Sequence, residues 1–336
     1  MYSIILAWWT WTRLRPLSTD ELPKQFLPIY DEKTLIQNTT ERLLEIDKKS
    51  ENIFVSTNGK YEKKVIEQLE KYWITNLIVE PAKRNTAPAI AFIVKYLEDI
   101  AGAKSDSIVL ICPSDHYINP TDRFVAYIEE ASKYANKWNI VLFGIQPDVP
   151  ETWYGYIKVA ENSDLMSFSF PIDQFVEKPD YENAKKYVEL GNYFWNAGIF
   201  MFRIDTIKQE FEKYCPEISK KFTLNRNDFL TDFESMPSIS IDYAVMEKTN
   251  KSVVVPMNLN RSDLWSWDSV RQNGKKDENS NVINWNVKAK DIHNNLIISN
   301  KKNIVLDGVD NLLIIENETW LYIAQKGRSQ NIKNLM

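Results

Sequence analysis

Apolar positions along this chain fall into two rhythms, with the change near residue 147. Before it, short apolar runs alternate with amphipathic stretches. Ser3-Ile4-Ile5-Leu6-Ala7 has the pattern of a buried strand. Residues 34–46 carry Leu35, Ile36, Leu43, Leu44 and Ile46 at helical spacing. Strands are then expected at 53–56, 77–79, 107–111 and 140–145, and helices at 61–72, 86–100 and 123–134. This alternation predicts a mostly parallel sheet with helices on both faces.

Beyond Pro147 short strands at 156–159, 174–176, 198–203 and 252–256 mix with helices near 181–190 and 206–214. The pattern predicts an insertion that covers the sheet edge and completes a pocket. Residues 275–280 are polar and read as a linker between a domain at 1–274 and a second at 281–336. In the second, tight apolar runs at 287–289, 295–298, 303–306, 311–315 and 321–324 leave no room for helices. An all-β unit or a few coils of β-solenoid is expected. The tail, 325–336, is polar and reads as a frayed end.

Composition narrows the function classes. The chain has 336 residues, 44% apolar and 26% charged, enough for one large or two ordinary domains. A net charge of −5 argues against a general nucleic-acid binder or a membrane-surface protein. The two cysteines, Cys112 and Cys215, are far apart and give neither zinc spacing nor a disulfide framework. No apolar run approaches the roughly 18 residues of a membrane helix, and no signal-peptide pattern is seen, so the default expectation is cytoplasmic. Two counts are abnormal: 9 glycines and 11 tryptophans in 336 residues, where glycine averages about 7%.

Candidate chemistry starts behind the first strand. Thr10, Thr12, Arg13, Arg15, Ser18 and Lys24 gather donors and cations in one loop, as α/β proteins do to hold phosphate at the carboxyl end of a strand. Small residues should let the backbone approach a phosphate there, yet the loop has Trp8, Trp9 and Trp11. Asp115, in Pro113-Ser114-Asp115-His116, also follows a strand. It suits either a Mg²⁺ ligand beside a phosphate or a turn or capping role. Asp263, in Ser262-Asp263-Leu264, is a second carboxylate that could share the same ion or sit in a surface turn. Between Glu80 and Ala89, Asn85 or Thr86 can cap a helix with Pro88 in its first turn. The cap leaves the polar density of Glu80, Lys83 and Arg84 unexplained, and a base with an amino group and a carbonyl needs such mixed donors and acceptors. Glu177-Lys178-Pro179 and Phe194-Trp195-Asn196-Ala197-Gly198 suit sugar hydroxyls, or core plus turn.

These segments together carry a resemblance. Leu6-Ala7-x-x-Thr10-x-Thr12-Arg13-Leu14-x-Pro16-Leu17-Ser18 with Pro23-Lys24-Gln25 resembles the signature of the sugar-nucleotide pyrophosphorylases, except that three family glycines are tryptophan. The stretches R-N-T-A-P-A, P-S-D-H, T-x-Y-G-Y-I, F-x-E-K-P, F-W-N-A-G, S-x-D-Y-A-V-M-E and S-D-L-x-S-W narrow it to the mannose-1-phosphate guanylyltransferases. Thymidylyl- and uridylyltransferase relatives share the first loop but not R-N-T-A-P-A.

The resemblance covers nearly the whole chain. It implies an α/β fold: a Rossmann-like, mostly parallel mixed-sheet nucleotidyltransferase domain and a small C-terminal domain like a left-handed β-helix, with a final family helix absent or shortened. It implies that GTP and mannose 1-phosphate give GDP-mannose and pyrophosphate with Mg²⁺ as cofactor. Arg13 and Lys24 would be catalytic. Leu6, Ala7, Trp8, Trp9, Thr10, Trp11, Thr12, Glu80, Arg84, Asn85, Thr86 and Ser114 would face the nucleotide. Gly155, Glu177, Lys178, Asn196 and Asp242 would face the sugar, and Asp115 and Asp263 would hold the metal. No nucleic acid or membrane partner is implied; relatives are often homodimers.

Seven tryptophans stand where the family pattern has glycine: Trp8, Trp9, Trp11, Trp153, Trp265, Trp285 and Trp320. Trp73, Trp138, Trp195 and Trp267 do not, and the last two match family tryptophans. Drift would scatter glycine over several residues, whereas one replacement repeated seven times is a coding pattern. The expectation is UGA read as glycine in the cell and as tryptophan in this translation. The alternatives are an inactive sugar-nucleotide-binding or regulatory paralogue, if the tryptophans are real, and a pyrophosphorylase for another sugar or base.

Overall fold

A computed structural model of the chain describes residues 1–7, 14–160, 167–284, 287–299 and 303–335. Trp8, Trp9, Thr10, Trp11, Thr12, Arg13 and Trp285 lie outside the described residues. The chain divides into two compact units, each assembled from separate segments. The first comprises Met1–Trp8, Thr40–Pro113 and Asn119–Leu259; the second comprises Trp9–Thr39, Ser114–Ile118 and Asn260–Met336.

The first unit begins with β1 (Tyr2–Leu6), whose apolar run is buried from Ile4 onward. Helix α1 (Leu35–Asp47) starts in a segment of the second unit and continues into the first. Then β2 (Ile53–Asn58), α2 (Glu62–Leu69), β3 (Asn76–Glu80), α3 (Thr86–Asp99) and β4 (Ile108–Pro113) alternate as the periodicity predicts. After β5 (Tyr117–Asn119) come α4 (Thr121–Ala135), β6 (Ile140–Ile145), β7 (Tyr156–Val159), β8 (Phe170–Val176), α5 (Tyr181–Leu190) and β9 (Tyr193–Arg203). Helices α6 (Ile204–Tyr214), α7 (Pro216–Ser219) and α8 (Arg226–Asp232) precede β10 (Ser252–Pro256).

Nine strands form one sheet in the order β3-β2-β1-β4-β9-β6-β10-β8-β7. Only β8 and β9 run against the rest, so the sheet is mostly parallel in direction and mixed in pairing. The expected insertion over the sheet edge is corrected here. The β7–β8 hairpin does lie at the edge, but β9 runs through the middle of the sheet between β4 and β6. Its residues Ile199, Met201 and Phe202 are wholly buried. Burial of both faces by helices is what favours near-continuous apolar runs in such strands.

Five successive helix-to-strand turns in the chain each use one residue in the left-handed region. Lys48 (φ 52°) follows α1, Trp73 (φ 58°) the short 3-10 turn after α2, Gly102 (φ 66°) α3, Trp138 (φ 60°) α4 and Gly191 (φ 72°) α5. This is where a helix reverses its chain and where glycine is favoured, because a Cβ there meets the backbone. A side-chain carbon at Gly102 or Gly191 would touch nothing within 4 Å, so those glycines serve the φ angle rather than space.

The second unit has β11 (Asn260–Ser262) paired with β5, and α9 (Trp267–Asn273), begun by a Ser266–Ser269 capping box. Strands β12 (Val282–Asn284), β13 (Val287–Lys290), β14 (Leu296–Ile298), β15 (Ile304–Asp307), β16 (Leu312–Glu316) and β17 (Leu321–Gln325) follow. Parallel stacking of β12, β14 and β16, and of β13 on β15, gives the coils of a small β-helix-like domain. Asn295 joins the coils from inside, donating to Asn281 at 3.1 Å and accepting from the Leu312 amide at 2.8 Å. The tail is not frayed: Gly327 and Ser329 bond to Asp268, and Ile332 is buried. Among the described residues no helix is long and apolar enough to cross a membrane.

Candidate active site

In the first unit the carboxyl ends of β1, β2 and β3 lie side by side. Leu6 pairs with Ser56, and Asn58 pairs with Glu80. Ala7 is held on both sides of its peptide: its amide donates to the Ser56 carbonyl at 2.8 Å, and its carbonyl accepts from the Thr57 hydroxyl at 3.2 Å. Glu80 is buried and accepts from the Ser56 hydroxyl at 2.6 Å. Burial pushes the Glu80 carboxyl up to about 7, and the Ser56 bond pulls against that rise.

The capping role foreseen for the R-N-T-A-P-A stretch is present. Asn85 accepts the Thr86 amide at 2.8 Å and opens α3. The Thr86 hydroxyl accepts the Ile241 amide at 2.7 Å, tying α3 to the segment that carries Asp242. Arg84 is half-buried, and its Nε is enclosed with no hydrogen-bond partner. A cationic nitrogen left in that state is what a bound anion or carbonyl would satisfy.

All five sugar-side candidates come together in this unit. Asn196 on β9 donates its amide N–H to the Gly155 carbonyl at 2.7 Å and its side-chain N–H to Asp242 at 3.3 Å. Glu177 closes an ion pair with Lys178. A Cβ on Gly155 would lie 2.6 Å from a Glu177 oxygen, so glycine is needed there for close approach. Burial first, and the Glu177 charge second, push the Asp242 carboxyl up to about 7. Glu247, the last residue of the S-x-D-Y-A-V-M-E stretch, accepts the Glu177 amide at 3.1 Å. It was not among the expected site residues, although the motif contained it.

Lys24, Ser114, Asp115 and Asp263 belong to the second unit. Lys24 is buried and pairs with Asp115 at 2.7 Å. The same ammonium donates to the backbone carbonyl of Asp263. One cation thus draws together the two carboxylate segments expected to hold a metal, and Asp115 is a turn residue that is buried rather than exposed. Ser114 is buried, its carbonyl accepting from Thr39. The loop that leads to Lys24 is braced by Trp267, whose Nε1 donates to the Arg15 carbonyl at 2.6 Å, and by Asn317, which donates to the Pro16 carbonyl at 2.7 Å.

Comparison with known proteins shows the family. The nucleotidyl transferase family model matches residues 2–235. The mannose-1-phosphate guanylyltransferase of Escherichia coli is 34% identical over 99% of this chain and 74% of its own length. The alginate biosynthesis protein AlgA of Pseudomonas aeruginosa is 36% identical over 100% of this chain and 71% of its own. A solved structure from Thermus thermophilus, described as a mannose-1-phosphate geranyltransferase, superposes with a TM-score of 0.88 at 26% identity, covering 99% of this chain and 97% of its own. This chain is a nucleotidyltransferase enzyme of the mannose-1-phosphate guanylyltransferase family.

Proposed function

We propose that the protein joins mannose 1-phosphate to GTP, giving GDP-mannose and pyrophosphate. The observation that carries this reading is Lys24 gripping both Asp115 and the Asp263 carbonyl. A phosphate oxygen of the sugar phosphate attacks the α-phosphorus of GTP in line. The new O–P bond forms as the bond to the β-phosphate oxygen breaks, and pyrophosphate leaves. No covalent enzyme intermediate is required, so position and charge neutralisation supply the acceleration. Lys24 supplies positive charge to the phosphates, and Arg13 faces the departing pyrophosphate. Leu6, Ala7, Thr10 and Thr12 are assigned to the nucleotide phosphates. Glu80, Arg84, Asn85 and Thr86 read guanosine. Gly155, Glu177, Lys178, Asn196 and Asp242 take the mannose hydroxyls.

Asp115 and Asp263 fit Mg²⁺. Their oxygens are hard donors, and among the described residues no set of three or more His, Cys, Asp or Glu forms a closed metal cage. Mg²⁺ commonly uses one or two carboxylates and completes its shell with water and substrate phosphate. When bound it would neutralise phosphate charge; Lys24 already supplies a cation to Asp115 without it.

The tryptophans form part of the same reading. Trp153 and Trp320 are more than half exposed, and Trp265 sits two residues past Asp263. Backbone approach to a phosphate calls for small residues, which tryptophan at 8, 9 and 11 does not supply, so this reading assigns activity to the form with glycine at the seven sites. The test is pyrophosphate release from GTP and mannose 1-phosphate, with and without Mg²⁺, by this chain and by its seven-glycine form. Activity in the glycine form alone is expected. If both forms fold and neither reacts, the function is wrong. If dTTP or glucose 1-phosphate serves better, the substrate is wrong. Activity in the tryptophan form overturns the account of the loop.

A further inference from the structure

We propose that Ser56 is a positioning residue for base recognition: its hydroxyl aims the Glu80 carboxylate while its carbonyl anchors Ala7. The inference rests on Glu80 facing the base in the proposed reaction. Ser56 is wholly buried on β2, in a run that otherwise reads as plain core strand. It bonds to the strand on either side, through its side chain to Glu80 on β3 at 2.6 Å and through its backbone to Ala7 after β1 at 2.8 Å. Guanine presents two adjacent donors, N1–H and the N2 amino group, and an ionised carboxylate accepts such a pair. Burial alone drives Glu80 towards its neutral form, which would offer a proton where an acceptor is needed. The Ser56 bond opposes this in part, leaving the carboxyl at about 7, and it holds one Glu80 oxygen in place at 2.6 Å.

The test is Ser56→Ala against Ser56→Thr in the active form of the enzyme, with GTP and with inosine triphosphate, which lacks the N2 amino group. Ser56→Ala is expected to raise KM for GTP about 10-fold, with kcat within about twofold and the preference for GTP over ITP reduced. Ser56→Thr, which keeps the hydroxyl, is expected to restore all three. An unchanged KM for GTP overturns the proposal. So does a rise in KM for mannose 1-phosphate of the same size, which would mark a general loosening. If the wild type shows no turnover, the reaction reading fails on its own, and GTP binding by calorimetry decides the role of Ser56. Equal binding by wild type and Ser56→Ala, or none by either, removes it.

A second inference comes from the backbone. We infer that residues 73 and 138 are also glycine in the protein as the cell makes it, which takes the recoded set from seven to nine. It rests on the UGA reading. Both tryptophans hold left-handed positions at helix-to-strand turns, where Gly102 and Gly191 stand in the equivalent turns. Bulky residues are genuine outliers there. Trp73 is 80% exposed and Trp138 52%, with the Arg203 guanidinium 4.7 Å from the Trp138 ring centre. Trp195 and Trp267, by contrast, are buried in a strand and a helix.

Codons decide it: TGA at 73 and 138 is expected. TGG at both, with TGA at the seven, overturns this inference and leaves recoding intact; TGG throughout overturns both. Independently, Trp73→Gly is expected to raise the thermal midpoint by about 2 °C, and Trp138→Gly by less, since it gives up the Arg203 contact. A fall in midpoint with Trp73→Gly contradicts the backbone argument.

Discussion

Lys24 and Asp242 each have a carboxylate for a neighbour, and the two regions handle that neighbour in opposite ways. In the second unit the charges are of opposite sign: Lys24 pairs with Asp115 and fills a further valence on the Asp263 carbonyl. In the first unit Asp242 faces Glu177, a like charge, and burial adds to the repulsion, so its carboxyl holds a proton up to about pH 7. Phosphates ask for fixed positive charge. Sugar hydroxyls ask for groups that both give and accept hydrogen bonds, and a protonated carboxyl beside Asn196 does so. Two regions of one chain thus use the same residue types with different partners, which suits the different ligands assigned to them in the proposed reaction.

The comparison is broken most severely at Lys24. Lys24→Ala leaves the Asp115 carboxylate buried without its cation, and removing one partner of a buried pair costs about 3–5 kcal/mol. That is a large part of a typical total of about 5–15. Pyrophosphate release is expected to fall about 1,000-fold, with the urea midpoint lowered. Lys24→Arg should keep much of the stability but not the activity, because the guanidinium fork differs in shape from an ammonium. Full activity in Lys24→Ala would show that the knot is structural only.

Asp115→Asn comes next. The side chain keeps its shape and loses its charge, so Lys24 stays half-paired. An approximately 100-fold loss of turnover is expected, together with a raised Mg²⁺ requirement in a metal titration. If the requirement is unchanged, Asp115 serves Lys24 and not a metal.

Around Glu177 and Asp242 the largest expected effect is smaller. Gly155→Ala puts a methyl 2.6 Å from a Glu177 oxygen, and overpacking of this kind costs about 1–3 kcal/mol. Glu177 must move, so KM for mannose 1-phosphate should rise about 10-fold, with KM for GTP unchanged. A change in the GTP constant instead would move Gly155 and Glu177 out of the sugar side.

How far the sequence reaches can be judged on these same residues. Strand and helix alternation located most elements to within a few positions because each is set by its own periodicity. The central place of β9 was not legible, since it depends on pairing with β4 and β6, far away in sequence. The docked tail depends likewise on Asp268, some 60 residues earlier. Motifs singled out Gly155, Glu177, Lys178, Asn196 and Asp242 but not their bonds to one another. Ser56 was hidden because a serine in an apolar strand looks like any core serine until Glu80 is found beside it. Trp73 and Trp138 did leave a signal: each lies just past a helical stretch, where glycine commonly ends a helix. The family pattern nevertheless leaves both outside its seven glycine positions, because these turns belong to no motif.

The smallest expected effect is also the one that isolates Asp242 from the rest. An aspartate exposed in the unfolded chain has a pKa near 3.9, and Asp242 in the folded chain is raised to about 7. Between those values the folded protein binds a proton that the unfolded chain has released. The stability Asp242 contributes is therefore fully present below about pH 4 and is lost as pH rises through about 7. Its slope is at most about 1.4 kcal/mol per pH unit. Glu80, raised to about 7 by burial, contributes a slope of the same sign, so Asp242→Asn should remove part of the decline and Asp242→Asn with Glu80→Gln more of it. Urea unfolding at pH 5, 6 and 7 measures this directly. If Asp242→Asn leaves the slope between pH 5 and 7 unchanged, Asp242 is ionised across that range beside Glu177, and the two regions handle charge alike.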